Sequence, residues 1–152
     1  MENKHKVLPA ETMMEHVEAL IAENCTVSLV VSGNSMSPFL AHGRDTVYLS
    51  PVTDELKRGD IILYRRENGA YLLHRICKVC ESTYSLIGDA QSVIEDGIRP
   101  EQVIAVVTAV YRKGKLVSHD SFIWKFYEKL WIRMINVRPL LMRTYARIAG
   151  KR

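Results

Sequence analysis

The sequence lacks an apolar run of the length that crosses a lipid bilayer, which takes about 18 to 20 residues. It also lacks the continuous apolar core of a secretory signal near its N-terminus. Its three cysteines, Cys25, Cys77 and Cys80, are an odd number and give no disulfide framework. These absences exclude the membrane-spanning and disulfide-rich secreted classes. We expect a cytoplasmic protein that is at most peripheral to a membrane.

Metal-binding motifs are also scarce. Cys77 and Cys80 have the spacing of half a zinc site, but no second pair follows them. Residues three apart on a strand also point to opposite faces of the sheet. We therefore expect neither a metal ion nor an organic cofactor.

The charge is distributed unevenly along the 152 residues, a length typical of one domain. The net charge is +4, yet residues 121–152 alone carry eight Lys or Arg against one acid, Glu128. Residues 1–120 therefore sum to about −3, and the basic character belongs to the C-terminal segment.

Hydrophobic periodicity predicts an antiparallel β-domain flanked by helices. Apolar residues recur at helical spacing from Ala10 to Asn24, and again from an Asp120-Ser121 cap onward, with Pro139 dividing the second helix. Between them, short β-rich runs are separated by glycine, asparagine and proline. We divide the chain into an N-terminal helical segment (1–25), a β-domain (26–118) and a basic helical tail (119–152). The predicted strands are residues 26–31, 46–49, 61–64, 71–79, 82–87, 103–111 and 116–117.

The stretch Ser32-Gly33-Asn34-Ser35-Met36-Ser37-Pro38 follows the first predicted strand. Gly33-Asn34 turns the backbone, and Pro38 prevents a regular continuation. A serine on such a turn is presented to solvent rather than packed into a core. A turn of this composition is typical of many ordinary loops. It indicates a function only together with other motifs in the sequence.

Three further motifs follow in order: Lys57-Arg58-Gly59-Asp60, Leu73-His74-Arg75 and Ile87-Gly88-Asp89. With the serine stretch, this order resembles the type I signal peptidase superfamily of serine peptidases, which includes the self-cleaving domain of LexA-type repressors. The resemblance covers about residues 27 to 115. It implies a mainly β fold, a coiled antiparallel β-domain of the LexA/signal peptidase type with an N-terminal helix and C-terminal amphipathic helices.

The resemblance implies Ser35 as nucleophile and His74 as general base, since the endoplasmic-reticulum and archaeal enzymes carry histidine where most bacterial ones carry lysine. Asp89 is the first choice for the carboxylate that orients His74. The histidine type also uses an acid further on, which leaves Glu95 and Asp96 as alternatives. A structural ion pair between Asp89 and Arg75 is the alternative role for this aspartate.

The function expected from the resemblance is a serine endopeptidase that cleaves a precursor or leader peptide. The alternative is a catalytically silent member of the same fold that binds peptides. Self-cleavage is a weaker third possibility, because no Ala-Gly pair precedes Ser35. The expected partner is an extended peptide or precursor protein.

The basic tail allows three interpretations. Its apolar residues pack on the β-domain and its basic face is solvated, or the tail binds in the plane of an anionic membrane. Nucleic-acid binding is the third, and we expect none because no DNA-reading motif is present.

Overall fold

One antiparallel sheet organises the part of the chain that the computed structural model describes, residues 9–150. Within these residues the spatial order of the strands is β1-β2-β7-β3-β4-β5-β6, and β8 pairs with β7. The expected mainly β class, with a helix at each end, is confirmed. The strands are β1 (Val27–Val30), β2 (Thr46–Ser50), β3 (Ile61–Arg65), β4 (Tyr71–Val79), β5 (Tyr84–Ile87), β6 (Glu95–Ile98), β7 (Val103–Arg112) and β8 (Lys115–Ser118).

Both faces of the central strands are covered. On β3, Ile61 and Leu63 belong to the larger apolar cluster, whereas Ile62 and Tyr64 belong to a smaller cluster on the opposite face. Because side chains alternate along a strand, this near-continuous apolar run buries four successive residues. The serine turn packs on the larger cluster through Met36, and His74 lies beside Tyr64 of the smaller one.

The N-terminal helix α1 (Ala10–Ala22) follows Pro9 and packs on the larger cluster. Val17 and Ile21, one turn apart, are its buried residues, as the amphipathic pattern predicts. Asn24 has a left-handed backbone with φ 63° and ends the helical segment.

The C-terminal segment is less regular than the single helix expected from Ser121 to Pro139. The Ser121 hydroxyl accepts a hydrogen bond from the Trp124 N–H and caps α2 (Phe122–Lys125). A π-helical turn (Phe126–Leu130) and a 3₁₀ stretch (Trp131–Val137) follow, before α3 (Arg138–Ala149). This irregular path buries three aromatic side chains in the larger cluster: Trp124, Tyr127 and Trp131.

Pro139 lies in the first turn of α3. A backbone N–H at this position would have no intrahelical acceptor, so proline loses no hydrogen bond there. The break itself falls earlier, at Met134, whose backbone is not helical (φ −93°, ψ 19°). No helix among the described residues combines the length and the apolar character that a membrane crossing needs.

Candidate active site

Ser35 lies on an irregular turn that continues from β1. Gly33, with φ 84°, supplies the left-handed backbone that lets the chain reverse, and its N–H donates to Nδ1 of His42 at 3.0 Å. Ser35 is half-buried and lines a cleft of about 290 Å³. No hydrogen bond within residues 9–150 engages the Ser35 backbone N–H. That N–H is therefore available as an oxyanion donor.

The turn is supported from below by the loop that follows β5. The N–H of Ala90 donates to the Ser35 carbonyl at 2.9 Å. A Cβ on Gly88 would lie 2.5 Å from that same oxygen, so only glycine permits the contact. Strands β4 and β5 pair Arg75 with Ile87, the residue before Gly88. Gly88 thus connects the Ser35 turn to the end of β5, the strand that pairs with β4. No hydrogen bond among the described residues joins Ser35 to His74, and His74 does not line the Ser35 cleft.

His74 is buried and its two ring nitrogens are in different surroundings. Its Nδ1 lies 3.0 Å from the Tyr64 hydroxyl, which donates to Oε2 of Glu95 at 2.6 Å. Because the single hydroxyl proton of Tyr64 is committed to the carboxylate, the Nδ1 atom must be the donor to Tyr64. In neutral His74 the lone pair is therefore on Nε2, which has no partner among the described residues. This is the tautomer that a histidine needs to accept a proton from a serine hydroxyl.

The outer end of this chain of hydrogen bonds is fixed by Arg66. Its guanidinium donates to both oxygens of Glu95, at 2.8 and 2.7 Å. These bonds, together with that from Tyr64, hold the pKa of Glu95 below its ordinary value despite partial burial. Burial, followed by the hydrogen bond to Glu95 and the charge of that carboxylate, raises the pKa of Tyr64 and keeps its hydroxyl protonated.

The pKa of His74 is lowered from 6.5, first by burial, and Glu95 offsets part of that effect. Because the unfolded chain takes up a proton near pH 6.5 and the folded chain only below it, acid favours unfolding in this range. We expect the free energy of unfolding to fall as pH decreases below 6.5, by at most about 1.4 kcal/mol per pH unit. Urea unfolding at a series of pH values measures the slope.

The variant His74→Gln is the control for this effect, since glutamine does not titrate. Its stability should change less with pH between the ordinary pKa values of glutamate and histidine, 4.5 and 6.5. An equal slope in both proteins would show that another group dominates the titration.

Asp89 has a different partner from the one that the resemblance implies. Its carboxylate accepts two hydrogen bonds from Arg75, at 2.9 and 2.8 Å, and both side chains are fully buried. It makes no hydrogen bond to His74 within the described residues. Arg75 and His74 are adjacent on β4, so their side chains point to opposite faces of the sheet. Asp89 is bonded to Arg75 and therefore lies on the face away from His74. The structure thus places Asp89 in the structural ion pair that the sequence left open.

The two alternative acids are also separated by the structure. Glu95 reaches His74 indirectly, through the Tyr64 hydroxyl. Asp96, the next residue, accepts a hydrogen bond from Ser85 instead. Of the three acids considered, Glu95 is the one connected to the imidazole.

The Gly88–Gln91 loop is in turn held by the C-terminal segment. The Trp131 indole donates to the Asp89 carbonyl at 2.8 Å. The buried Arg138 donates to the carbonyls of Gly88 and Gln91 at 3.1 and 3.0 Å. The C-terminal segment therefore supports the loop that supports the Ser35 turn, a connection that the sequence did not reveal.

The cleft beside Ser35 is lined mainly by apolar side chains. Helix α1 forms one wall through Met13 and Met14, and the beginning of β4 forms another through Leu72 and Leu73. A cleft of this size and lining accommodates an apolar side chain of an extended peptide. Among the described strands β1 pairs only with β2, so its outer edge has main-chain groups available to such a peptide.

Sequence reasoning missed Tyr64 and Arg66, although a signal for Tyr64 was present. The hairpin at Glu67-Asn68-Gly69 sets a register that pairs Ile62 with His74 and Tyr64 with Leu72. Tyr64 is then the diagonal neighbour of His74 on one face of the sheet, within reach of an aromatic side chain. Alternation and the hairpin register together would have identified it.

Comparisons of the chain with protein-family models, with curated proteins and with solved structures find no match. Within residues 9–150 no group of three His, Cys, Asp or Glu side chains is placed to hold a metal ion. The chemistry of the site therefore has to be inferred from its own residues.

Proposed function

We propose that this chain is a serine endopeptidase of the signal peptidase type, with Ser35 as nucleophile and His74 as general base. The observation that carries the proposal is the state of His74. It is a buried imidazole whose Nδ1 is committed to Tyr64 and whose Nε2 lone pair has no partner within the described residues. A buried polar atom without a partner is unfavourable by about 1 to 3 kcal/mol, so it needs a functional or structural reason.

The reaction begins when the Ser35 oxygen attacks the carbonyl carbon of the scissile bond and its proton passes to Nε2 of His74. The negative charge of Glu95, transmitted through Tyr64, stabilises the imidazolium that forms. The Ser35 N–H donates to the oxyanion of the tetrahedral intermediate. As the intermediate collapses, His74 returns its proton to the leaving amine and an acyl ester remains on Ser35.

Hydrolysis of the ester repeats these steps with water as the nucleophile. His74 takes a proton from the attacking water and returns it to the Ser35 oxygen, and the free acid leaves. The two half-reactions conserve protons and need no metal or cofactor. No hydrogen bond joins Ser35 and His74 among the described residues, so the proposal requires the two side chains to come together when the peptide binds, as catalytic hydrogen bonds often tighten only in the substrate complex.

The substrate that fits this proposal is an extended peptide segment that adds to the free edge of β1 and places an apolar side chain in the cleft. A precursor or leader peptide has the required extended conformation. The cysteines of the described chain form no disulfide, and we place the activity in a reducing, cytoplasmic compartment.

A serine-directed fluorophosphonate probe tests the proposal, because it reacts only with an activated serine hydroxyl. We expect one adduct, mapped to Ser35 by mass spectrometry, and a much lower yield in His74→Ala. The Ser37→Ala variant is the matched control, since the Ser37 hydroxyl donates to the carbonyl of Leu40 at 3.3 Å in the same turn. It should be labelled like the wild type.

The other outcomes point elsewhere. Equal labelling of Ser35 in the wild type and in His74→Ala would remove His74 from the role of base. A chain that binds extended peptides, leaves them intact and takes up no probe would be the catalytically silent peptide-binding protein.

A further inference from the structure

A second concave site, which we call the aliphatic groove, lies between the end of β4 and the 3₁₀ stretch of the C-terminal segment. Its volume is about 730 Å³, within the usual range of ligand pockets. Five aliphatic side chains line it: Leu56, Val79, Ile94, Ile132 and Ile135. The groove and the Ser35 cleft have no lining residue in common.

The aliphatic groove is only partly covered by the chain. Leu56 and Ile132 are buried, whereas Val79 and Ile94 are each 41% exposed. Val79 belongs to β4, where it pairs with Tyr84 of β5, and Ile94 directly precedes β6. The exposed aliphatic side chains are therefore part of the sheet or next to it, and they leave an apolar surface that a ligand can cover.

Cations border the groove and continue beyond it. Lys57, Arg58 and Lys78 line the groove itself. Arg58 also lines an adjoining hollow of about 520 Å³, together with Lys129 and Arg133, which we call the basic hollow. All five cations are exposed, and none of them forms an ion pair within residues 9–150.

Three acids share this surface without neutralising it. Glu55 and Asp96 line the groove, and Glu128 lines the basic hollow. Asp96 accepts a hydrogen bond from the Ser85 hydroxyl, and the Glu128 side chain packs against Gly59. The basic hollow therefore has three cations against one acid, and an anionic group placed there gains Coulomb energy.

Shape and charge together indicate which ligand fits. An anionic bilayer would bring its headgroups against Glu55 and Asp96 as well as against the cations. A single acyl chain gains most in a pocket that encloses it, and this groove is open at Val79 and Ile94. An extended peptide instead places alternate side chains on the groove and leaves the others in solvent.

We propose that the aliphatic groove and the basic hollow bind an extended acidic segment of a partner protein. Its aliphatic side chains lie on the groove, and its carboxylates lie beside Arg58, Lys129 and Arg133. Complementary charge of this kind selects the partner and speeds its association. The binding does not depend on the proposed proteolysis, because the two sites share no residue.

Fluorescence anisotropy of a short rhodamine-labelled peptide that alternates leucine and glutamate tests the proposal on the full chain. We expect saturable binding that weakens at high salt. Peptides with lysine in place of glutamate, or serine in place of leucine, should bind much more weakly. The variant Arg58→Gln/Arg133→Gln should lower the affinity about tenfold, since each exposed ion pair contributes at most about fivefold. Val79→Gln/Ile94→Gln should also lower it about tenfold.

Matched controls change the same residue types elsewhere on the surface. Arg143→Gln/Arg147→Gln removes two exposed arginines from α3, and Val93→Gln/Leu116→Gln removes two exposed aliphatic side chains. Both variants should bind the leucine–glutamate peptide nearly as well as the wild type.

Cys77 reports where the peptide binds. It lines the aliphatic groove, whereas Cys25 is exposed beyond the end of α1. Saturating peptide should slow the alkylation of Cys77 by iodoacetamide several-fold and leave that of Cys25 unchanged, as measured by mass spectrometry.

Four results would overturn the proposal. The first is no saturable binding of the leucine–glutamate peptide at low salt, and the second is an equal loss of affinity in the control variants. The third is an unchanged rate of Cys77 alkylation at saturating peptide. The fourth is a dimer in sedimentation equilibrium that Val79→Gln/Ile94→Gln dissociates, because it would assign the groove to a second copy of the chain.

Discussion

Alanine at Ser35 or at His74 is expected to slow peptide cleavage by about 10³- to 10⁴-fold. Ser35→Ala removes the attacking oxygen, and His74→Ala removes the proposed base, a buried imidazole whose Nε2 has no partner among the described residues. Because the two groups act in one step, the double variant should be no slower than the worse single variant. Initial rates on a degenerate peptide library, followed by mass spectrometry, provide the measurement.

Folding has to be separated from chemistry in this comparison. Ser35 is half-buried and its loss should leave the unfolding midpoint in urea nearly unchanged. His74 is buried, so alanine leaves a cavity, and His74→Gln fills most of the volume without supplying a base. Rates that fall in His74→Ala but recover in His74→Gln would assign His74 a packing role and contradict general-base catalysis.

Much of the sheet could be predicted from local patterns. The strand from Tyr71 to Val79 was predicted with the bounds that the structure has, because a hairpin signal precedes it and turn residues follow it. Strand β6 was missed, since its sequence Glu95-Asp96-Gly97-Ile98 has neither alternation nor β-branched residues before its last position. It exists because the β5 edge offers hydrogen-bond partners, a tertiary effect that a local pattern does not record.

The site shows the same division between local and long-range information. Ser35 and His74 were predicted as site residues from short motifs, and each motif spans only a few neighbouring residues. The connection from His74 to Glu95 passes through the Tyr64 hydroxyl and involves three strands, and its link from Tyr64 to Glu95 joins residues 31 positions apart. No spacing within a motif encodes such a path, because it depends on how β3, β4 and β6 are ordered in the sheet.

The C-terminal segment was predicted to be an amphipathic helix, but its contacts could not be predicted. Arg138 reads in the sequence as one basic residue among eight in residues 121–152. In the structure it is buried over Trp131, with its guanidinium 5.5 Å from the ring centroid. Charge patterning alone treats all arginines as solvated, and only tertiary contacts distinguish this one from Arg143.

Asp89→Asn is expected to destabilise the fold by about 3 to 5 kcal/mol, because it breaks a fully buried ion pair and leaves Arg75 without a counter-charge. Arg138, the other buried guanidinium next to this loop, would lose its nearby anion as well. Such a loss is a large fraction of the 5 to 15 kcal/mol that is typical of a folded domain. Urea unfolding of the variant and of the wild type measures the difference.

Glu67→Gln makes the same isosteric change in an ion pair that is exposed, with Arg99, and should change stability by at most about 1 kcal/mol.

The comparison also separates the two roles considered for Asp89. If Asp89 were the residue that orients His74, Asp89→Asn would keep its stability and lose only cleavage. A structural ion pair predicts the reverse order: the variant should unfold at lower urea concentration, and any cleavage that remains at low temperature should keep the wild-type dependence on pH. The carboxylate that sets the state of His74 is then Glu95, which Asp89→Asn leaves in contact with Tyr64 and Arg66.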